Sequence, residues 1–499
     1  MNHRPAARRE RLAASLAVFL VLAILAVVSV AHGTFYDDEA WTLHFMDRAP
    51  TVWRVIAEAN AGDVHPPLGY VIMRVLHDVL GSWLAVKLAG GLWSAAGMAG
   101  LLWFAGASCD RRTLAWSALL LAGAATAVMW GTSLRWYAWF NPLYWPLAGF
   151  AGWRARSLTS GAAALAVGGV LLFHTNYLAA LAVPPLALVV CLRHGAAAGT
   201  AERWRAAAVL LAGALACLPQ AWVMARVHMA DGAEQTGSLG QALAQAGSTA
   251  VLGNAVFVAA PLALAFALVS LVALALAVTK PEWRRAAMPL LVPLIVSGGL
   301  LVLSGVGYRG RNAVFLHPLW LLLVARALAA SPRWLQGVGL AAALAMAALG
   351  LRNVAIHDGT MKRSFNTPYA AAMERLRAQA QACRAATVIH HDPVLGVLLA
   401  QAGMPQREAF MEQRAPVMLQ PGDCLLAVHG WRGPRDPGRM AAWEASFRAP
   451  ALVSAGRQPL GRDADAAMKA RLSGESLDEA YLVLEPLRAR SPMVYRPTD

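Results

Sequence analysis

A chain of 499 residues is long enough for about three ordinary domains, yet 58% of its residues are hydrophobic and only 14% charged, which excludes a soluble protein of this length. The formal charge of +15 comes from Lys and Arg scattered through short loops rather than gathered into a stripe, so no nucleic acid is expected as a partner. Five cysteines at 109, 191, 217, 383 and 424 show no metal-ligand spacing.

Apolar stretches of roughly 17 to 25 residues, each able to cross a hydrocarbon core of ~30 Å, recur along the first 350 positions. The first, 12–31, follows a basic head (Arg4, Arg8, Arg9, Arg11) and reads as an uncleaved transmembrane helix, since its cleavage pattern is poor and many spans follow. Ten more are expected at 84–105, 113–131, 138–152, 158–173, 177–192, 206–224, 251–278, 287–306, 313–325 and 335–350. Alternate loops carry the basic residues: Arg111/Arg112, Arg154/Arg156, Arg193/Arg203/Arg205, Lys280/Arg284/Arg285 and Arg326/Arg333. By the positive-inside rule these loops and the N-terminus face the cytoplasm. Loops 33–66, 131–137, 226–247 and 308–312 then face outward, and an odd span count puts the C-terminus outside too.

Between the first two spans lies the densest acidic stretch of the membrane half. Asp37, Asp38, Glu39, Asp47, Glu58, Asp63 and Asp78 make up more than half of the acids before Leu351. The first three sit just beyond the outer end of span one, where the bilayer rim desolvates them in part. Topology alone does not require three consecutive acids; the bland reading is a helix end in water. After Pro50, Val52, Val55, Ile56 and Ala59 recur at helical spacing, with Trp41 and Trp53 suited to the headgroup layer. Pro66 and Pro67 then fix the backbone at the mouth of a short apolar segment, with His65 just before them. Lys87 is the main charge inside a span, near enough to its outer end to snorkel.

After Gly350 long apolar runs give way to mixed charge. Thr367 and Pro368 form an N-cap and first-turn pair ahead of Tyr369, Ala372, Met373 and Leu376, an apolar helical stripe. Short apolar strands are expected at 386–389, 424–428, 452–455 and 481–484. The expected fold is therefore mostly α: a polytopic helical bundle of about 11 spans over residues 1–351, including loop 33–66, then an extracytoplasmic α/β domain over 352–499. In that oxidising location Cys383 and Cys424 are free to form a disulfide.

Asp38-Glu39-Ala40 after the first span, and Asp63-Val64-His65-Pro66-Pro67-Leu68 about two dozen residues later, resemble the membrane glycosyltransferases of the GT-C fold. The branch is the bacterial one similar to protein O-mannosyltransferases and aminoarabinose transferases, glycosyltransferase family 39-like. Arg135-Trp136-Tyr137-Ala138, Thr175-Asn176-Tyr177 and Arg311-Asn312 resemble further elements of that family. Ser133, Gly69, Asn176 and Asn312 depart from it, standing where the family often has Glu, Tyr, His and Tyr.

The resemblance implies a polyprenyl-phosphate sugar as donor, displaced at the anomeric carbon with inversion by a lipid, glycan or protein acceptor. One carboxylate to take the acceptor proton and cations to hold the phosphate suffice for that chemistry. The resemblance makes Asp38 the base, with Glu39 and Asp37 as helpers that orient it, bind acceptor hydroxyls or hold a divalent cation, Mg²⁺ or Mn²⁺. Arg135, Arg309 and Arg311 fall at outward span ends and suit the phosphate, against a reading as interfacial arginines. His65, Tyr137, His174, Asn176 and Tyr177 complete the expected pocket, though the tyrosines also suit an aromatic belt. The competing class is a polytopic lipid or solute transporter, which would carry polar groups near the midplane in a repeated, interrupted-helix pattern; no such repeat is visible. A membrane scaffold would need neither the acids nor the outward arginines.

Overall fold

The computed structural model describes residues 6–32, 37–62, 65–231, 238–253, 260–306, 310–356, 369–390, 393–408, 416–429, 445, 447–456, 458–462 and 481–495. Helices are numbered along the chain: α1 Arg8–His32, α2 Asp37–Arg48, α3 Val52–Gly62, α4 Pro67–Leu80, α5 Trp83–Ala105, α6 Arg111–Ala122, α7 Ala125–Gly131, α8 Tyr137–Gly149, α9 Leu158–Thr175 and α10 Ala179–His194. They continue with α11 Thr200–Asp231, α12 Leu239–Leu252, α13 Ala260–Val278, α14 Pro281–Leu303, α15 His317–Ala329, α16 Arg333–Ile356, α17 Tyr369–Gln381 and α18 Pro393–Gln401. Two compact units result: Met1–His32 with Ala49–Ile356, and Gly33–Arg48 with His357–Asp499.

In the first unit each expected span contains helix. Stretch 251–278 starts on the last turn of α12, ended by the left-handed cap Gly253, and resumes as α13 at Ala260, with positions 254–259 outside the described residues. Among the described residues eight helices are long and apolar enough to cross a membrane, including α1, α5, α9, α11, α13, α14 and α16. Three expected spans fall short of that length. Stretch 113–131 is broken at Gly123 and Ala124 into α6 and α7; α8 has 13 residues and contains Pro142 and Pro146; α10 has 16. Small residues let these helices close on one another, since in lipid their association depends on close packing. A Cβ at Gly97 of α5 would lie 2.6 Å from Cα of Pro142 in α8, and one at Gly91 2.7 Å from Cβ of Ala26 in α1.

The loops expected to be basic and cytoplasmic meet at one end of this bundle. Glu10 pairs with Arg111 at 2.6 Å, Arg112 bonds the side-chain amide oxygen of Gln336, and Arg326 donates to Ser108 Oγ at 2.7 Å. Lys280 Nζ donates to Ala330 O at 2.6 Å, and Arg326 lies over the Trp153 ring. Residues of the expected outer loops lie at the other end, where Thr132 Oγ1 is 3.2 Å from Ser29 Oγ in the last turns of α1 and Arg226 donates to Asn60 O at 3.3 Å. Helix α3 forms as its spacing implies, with Val55 and Ala59 buried and Trp53 80% exposed. Helix α4 starts on Pro67 and stops at Gly81, whose φ of 69° is the left-handed C-cap that favours glycine. Lys87 does not snorkel: it is buried, because α5 turns it toward the bundle interior. Helix α11 is the least buried of the eight long apolar helices, with Trp204 in its second turn and Trp222 eighteen residues on 72% and 73% exposed.

The second unit is an α/β layer. Its strands are β1 Ala386–His390, β2 Gln406–Glu408, β3 Val417–Leu419, β4 Cys424–His429, β5 Leu452–Ser454, β6 Gln458–Arg462, β7 Tyr481–Ala489 and β8 Met493–Tyr495. The main sheet runs β2-β1-β4-β7-β5 with β6 also on β7, while β3 and β8 pair separately. Strand β1 is parallel to β2 and β4, and β7 is antiparallel to β4. Helix α18 is thus the crossover of a βαβ unit, and α2 packs against it, which is why Gly33–Arg48 groups here. Ile389, Leu425, Ala427 and Leu487 fill the core, with Phe447 stacked on Tyr495. Cys383 and Cys424 are disulfide-bonded, joining the chain just before β1 to the start of β4. Beside them Arg384 grips Asp423 through two hydrogen bonds of 2.9 and 3.0 Å. The Thr367–Pro368 cap expected before α17 lies outside the described residues.

Candidate functional site

Three chain segments bring polar side chains together at the end of the bundle opposite the basic loops. The first is the Pro66–Pro67 entry to α4: Pro66 is extended at φ −63° and ψ 156°, and Pro67 supplies the first turn. His65 immediately precedes it. The second is the turn between α7 and α8, where Trp139 N–H donates to Trp136 O and Ala138 N–H to Arg135 O. The third is the end of α9, where Asn176 is extended and its Oδ1 accepts the Leu178 N–H at 2.8 Å.

Arg135 Nη2 lies 3.2 Å from His65 Nε2, and Asn176 Nδ2 lies 3.4 Å from His65 Nδ1. Both flanking atoms are donors, and a neutral imidazole has one acceptor nitrogen. His65 therefore accepts from only one of them at a time. Its ring sits 6.3 Å from that of Trp136, which packs 4.3 Å from Tyr137. Tyr137 is fully buried, with Arg311 lying 6.0 Å from its ring centre. Arg311 is held near by the turn Gly310–Leu316, whose Phe315 carbonyl accepts the indole N–H of Trp145 in α8 at 3.1 Å. A guanidinium, an imidazole and a side-chain amide from distant segments form a donor-rich cluster suited to anionic oxygens.

Tyr177 Oη accepts from Gln220 Nε2 at 3.0 Å. Gln220 did not enter the sequence reading. Its signal was present: it follows Pro219 in a lipid-facing helix and is 6% exposed, and a buried polar group in a span faces protein. His174 turns back on its own helix, with Nδ1 2.9 Å from Val170 O, and its ring lies 6.3 Å from that of Phe173. Asn312 Nδ2 donates to Val306 O at 3.0 Å. Arg309 lies outside the described residues. Asp37 and Asp38 open α2, with side chains outside the description, and Glu39 on the next position is buried in the second unit. Among the described residues no group of three His, Cys, Asp or Glu side chains could hold a metal ion.

No family model matches the sequence, and no curated protein matches it. Solved structures do. ArnT from Cupriavidus metallidurans in the apo state is similar over 94% of this chain and 97% of its own, at 13% identity and a TM-score of 0.53. The same protein bound to undecaprenyl phosphate is similar over the same shares, at 14% identity and a TM-score of 0.53. The chain has the ArnT fold. The fold expected from the sequence resemblance is therefore met in three dimensions. With 94% of the chain aligned, the likeness takes in both the helical module and residues of the α/β unit.

Proposed function

We propose that this chain is an inverting glycosyltransferase that moves a sugar from a polyprenyl-phosphate donor to an acceptor at the outer face of a bacterial inner membrane. The convergence of Arg135, His65 and Asn176 carries the reading. It is supported by a shared fold with ArnT, whose structure includes a complex with undecaprenyl phosphate.

In the reaction, a hydroxyl or amine of the acceptor attacks the anomeric carbon as its proton passes to the Asp38 carboxylate. The bond from that carbon to the phosphate oxygen breaks, and polyprenyl phosphate leaves with the electron pair. A phosphate leaves readily, so the protein has two tasks: taking one proton, and holding negative charge with groups already in position. Arg135, Arg311 and Arg309 hold the phosphate, with His65 and Asn176 orienting it. Tyr137, Tyr177 and His174 line the sugar side, while Glu39 and Asp37 keep Asp38 in place and would be the residues to hold a divalent cation such as Mg²⁺ or Mn²⁺, which would supply further charge for the phosphate. Hexose or pentose, and lipid, glycan or protein as acceptor, are distinguished by trial of each.

The orientation with the N-terminus in the cytoplasm and the C-terminal unit outside is supported by the basic loops gathered at one bundle end. It is also supported by the Cys383–Cys424 disulfide, which suits an oxidising compartment. The test is reconstitution of the purified protein with a panel of polyprenyl-phosphate sugars, following donor loss by mass spectrometry. Asp38→Asn is expected to lose turnover by about 10²- to 10⁴-fold at unchanged abundance. Equal donor consumption by parent and variant would remove Asp38 from the mechanism.

A further inference from the structure

The three segments that carry the polar cluster meet a second time. Four positions after His65 stands Gly69, four after Arg135 stands Trp139, and directly before Asn176 stands Thr175. A Cβ at Gly69 would lie 3.8 Å from both Trp139 Cδ1 and Thr175 Cγ2. The Thr175 hydroxyl is committed, donating to Leu171 O at 2.8 Å. Trp139 is not: it is 4% exposed, and its indole Nε1 has no hydrogen-bond partner among the described residues.

Cδ1 is the atom bonded to Nε1, so the polar edge of the indole borders Gly69. Proteins rarely leave such a group unsatisfied, because a buried N–H stripped of water and given no acceptor is costly. An indole N–H only donates, so whatever satisfies it brings an acceptor atom. Glycine at position 69 matters here, since it leaves this edge uncovered by any side chain from that position. Trp283 and Trp320 also have buried indole nitrogens without a partner among the described residues. What sets Trp139 apart is its place on the first turn of α8, four positions after Arg135 and against the segment that bears His65.

We propose that the indole N–H of Trp139 is a ligand-binding donor that takes an oxygen of the lipid phosphate, beside the segments that bear Arg135 and His65. This rests on the reading of the cluster as a phosphate site. The indole adds a neutral, fixed donor to a charged one: Arg135 supplies attraction, and Trp139 supplies direction without a further charge in the membrane.

The test uses the full-length protein in lipid nanodiscs and compares binding of polyprenyl phosphate with that of the uncharged polyprenol. Preference of the parent for the phosphate form is expected; its absence would overturn the phosphate reading itself. With that preference in hand, Trp139→Phe is expected to bind polyprenyl phosphate roughly tenfold more weakly, with polyprenol binding unchanged. Trp139→His, which keeps a ring N–H, is expected to recover part of the loss, and Trp283→Phe at the basic end to match the parent. Parental affinity of a folded Trp139→Phe protein would overturn this inference alone. So would equal weakening toward both lipids, which marks a packing role. If Trp139→Phe does not fold, Trp139→His decides: phosphate preference above that of Trp139→Ala supports the donor, and preference equal to it overturns it.

Discussion

Arg135 Nη2 and His65 Nε2 stand 3.2 Å apart across 70 positions of sequence, in a contact that joins the α7–α8 turn to the entry of α4. Hydrogen bonds to charged groups contribute about 1.5–3 kcal/mol each. Arg135→Ala is therefore expected to slow donor consumption by at least ~10- to 100-fold. Arg135→Lys is expected to stay impaired, because an ammonium cannot make two parallel bonds to a phosphate. His65→Ala is expected to do less harm than Arg135→Ala. Initial rates of donor loss check all three, and a fully active Arg135→Lys would argue against bidentate recognition.

Gln220 holds the hydroxyl of Tyr177 at 3.0 Å from the inner face of a lipid-facing helix. Gln220→Leu keeps the volume and removes the donor, so donor affinity is expected to fall a few-fold, in line with ~0.5–1.5 kcal/mol for a neutral hydrogen bond. Tyr177→Phe should cost a similar amount. Because the two share one bond, the double variant should cost less than the sum of the singles; strict additivity would show that the pair does not act together.

The disulfide between Cys383 and Cys424 closes a separation of 41 residues. A crosslink of that span is worth roughly 4 kcal/mol in the chain-entropy account. Reduction, or the double change Cys383→Ala/Cys424→Ala, is expected to lower the unfolding transition of the C-terminal unit and to expose it to limited proteolysis. Identical protease sensitivity with and without reductant would contradict this.

Asp423 is held below the usual carboxylate range, first by its hydrogen bonds from the Arg384 guanidinium and then by the backbone N–H of Gln420. A carboxylate whose folded value is depressed adds stability that is fully present above its unfolded value of ~3.9 and fades as pH falls through the folded value. Stability of the C-terminal unit is thus expected to drop in acid more steeply in the parent than in Asp423→Asn. Since the Arg384 side chain is 60% exposed, salt should shrink the difference. Parallel pH profiles for the two proteins would remove the ion pair from the account.

What the sequence shows and what it hides divide along physical lines. A membrane span declares itself because one property, an unbroken apolar run, governs both helix formation and burial. The strands at 386–389, 424–428, 452–455 and 481–484 were legible for a related reason, being short apolar runs between turn signals. Strand β2, Gln406–Glu408, was not: three polar residues become a strand only because β1 lies parallel beside them. The same limit hid the grouping of α2 with α18, since no local pattern names a partner some 350 positions away. Among the site residues, His65, Arg135 and Asn176 stood out as polar groups at span ends, and the fold brings them together. Gln220 sat inside an apolar run and drew notice only once Tyr177 stood opposite, and Lys87 was misjudged because sequence does not say which way a helix face turns.

Trp204 and Trp222 are 18 residues apart on α11, which at about 1.5 Å per residue is about 27 Å, close to the thickness of a hydrocarbon core. Indole rings settle at the boundary between lipid and water, so this one helix works as a depth gauge. Gln220, two positions from the second ring, bonds Tyr177 at nearly the height of that ring along the helix. A phosphate docked there would keep its greasy anchor in the bilayer and its sugar in water, and the protein would not have to lift either across the boundary.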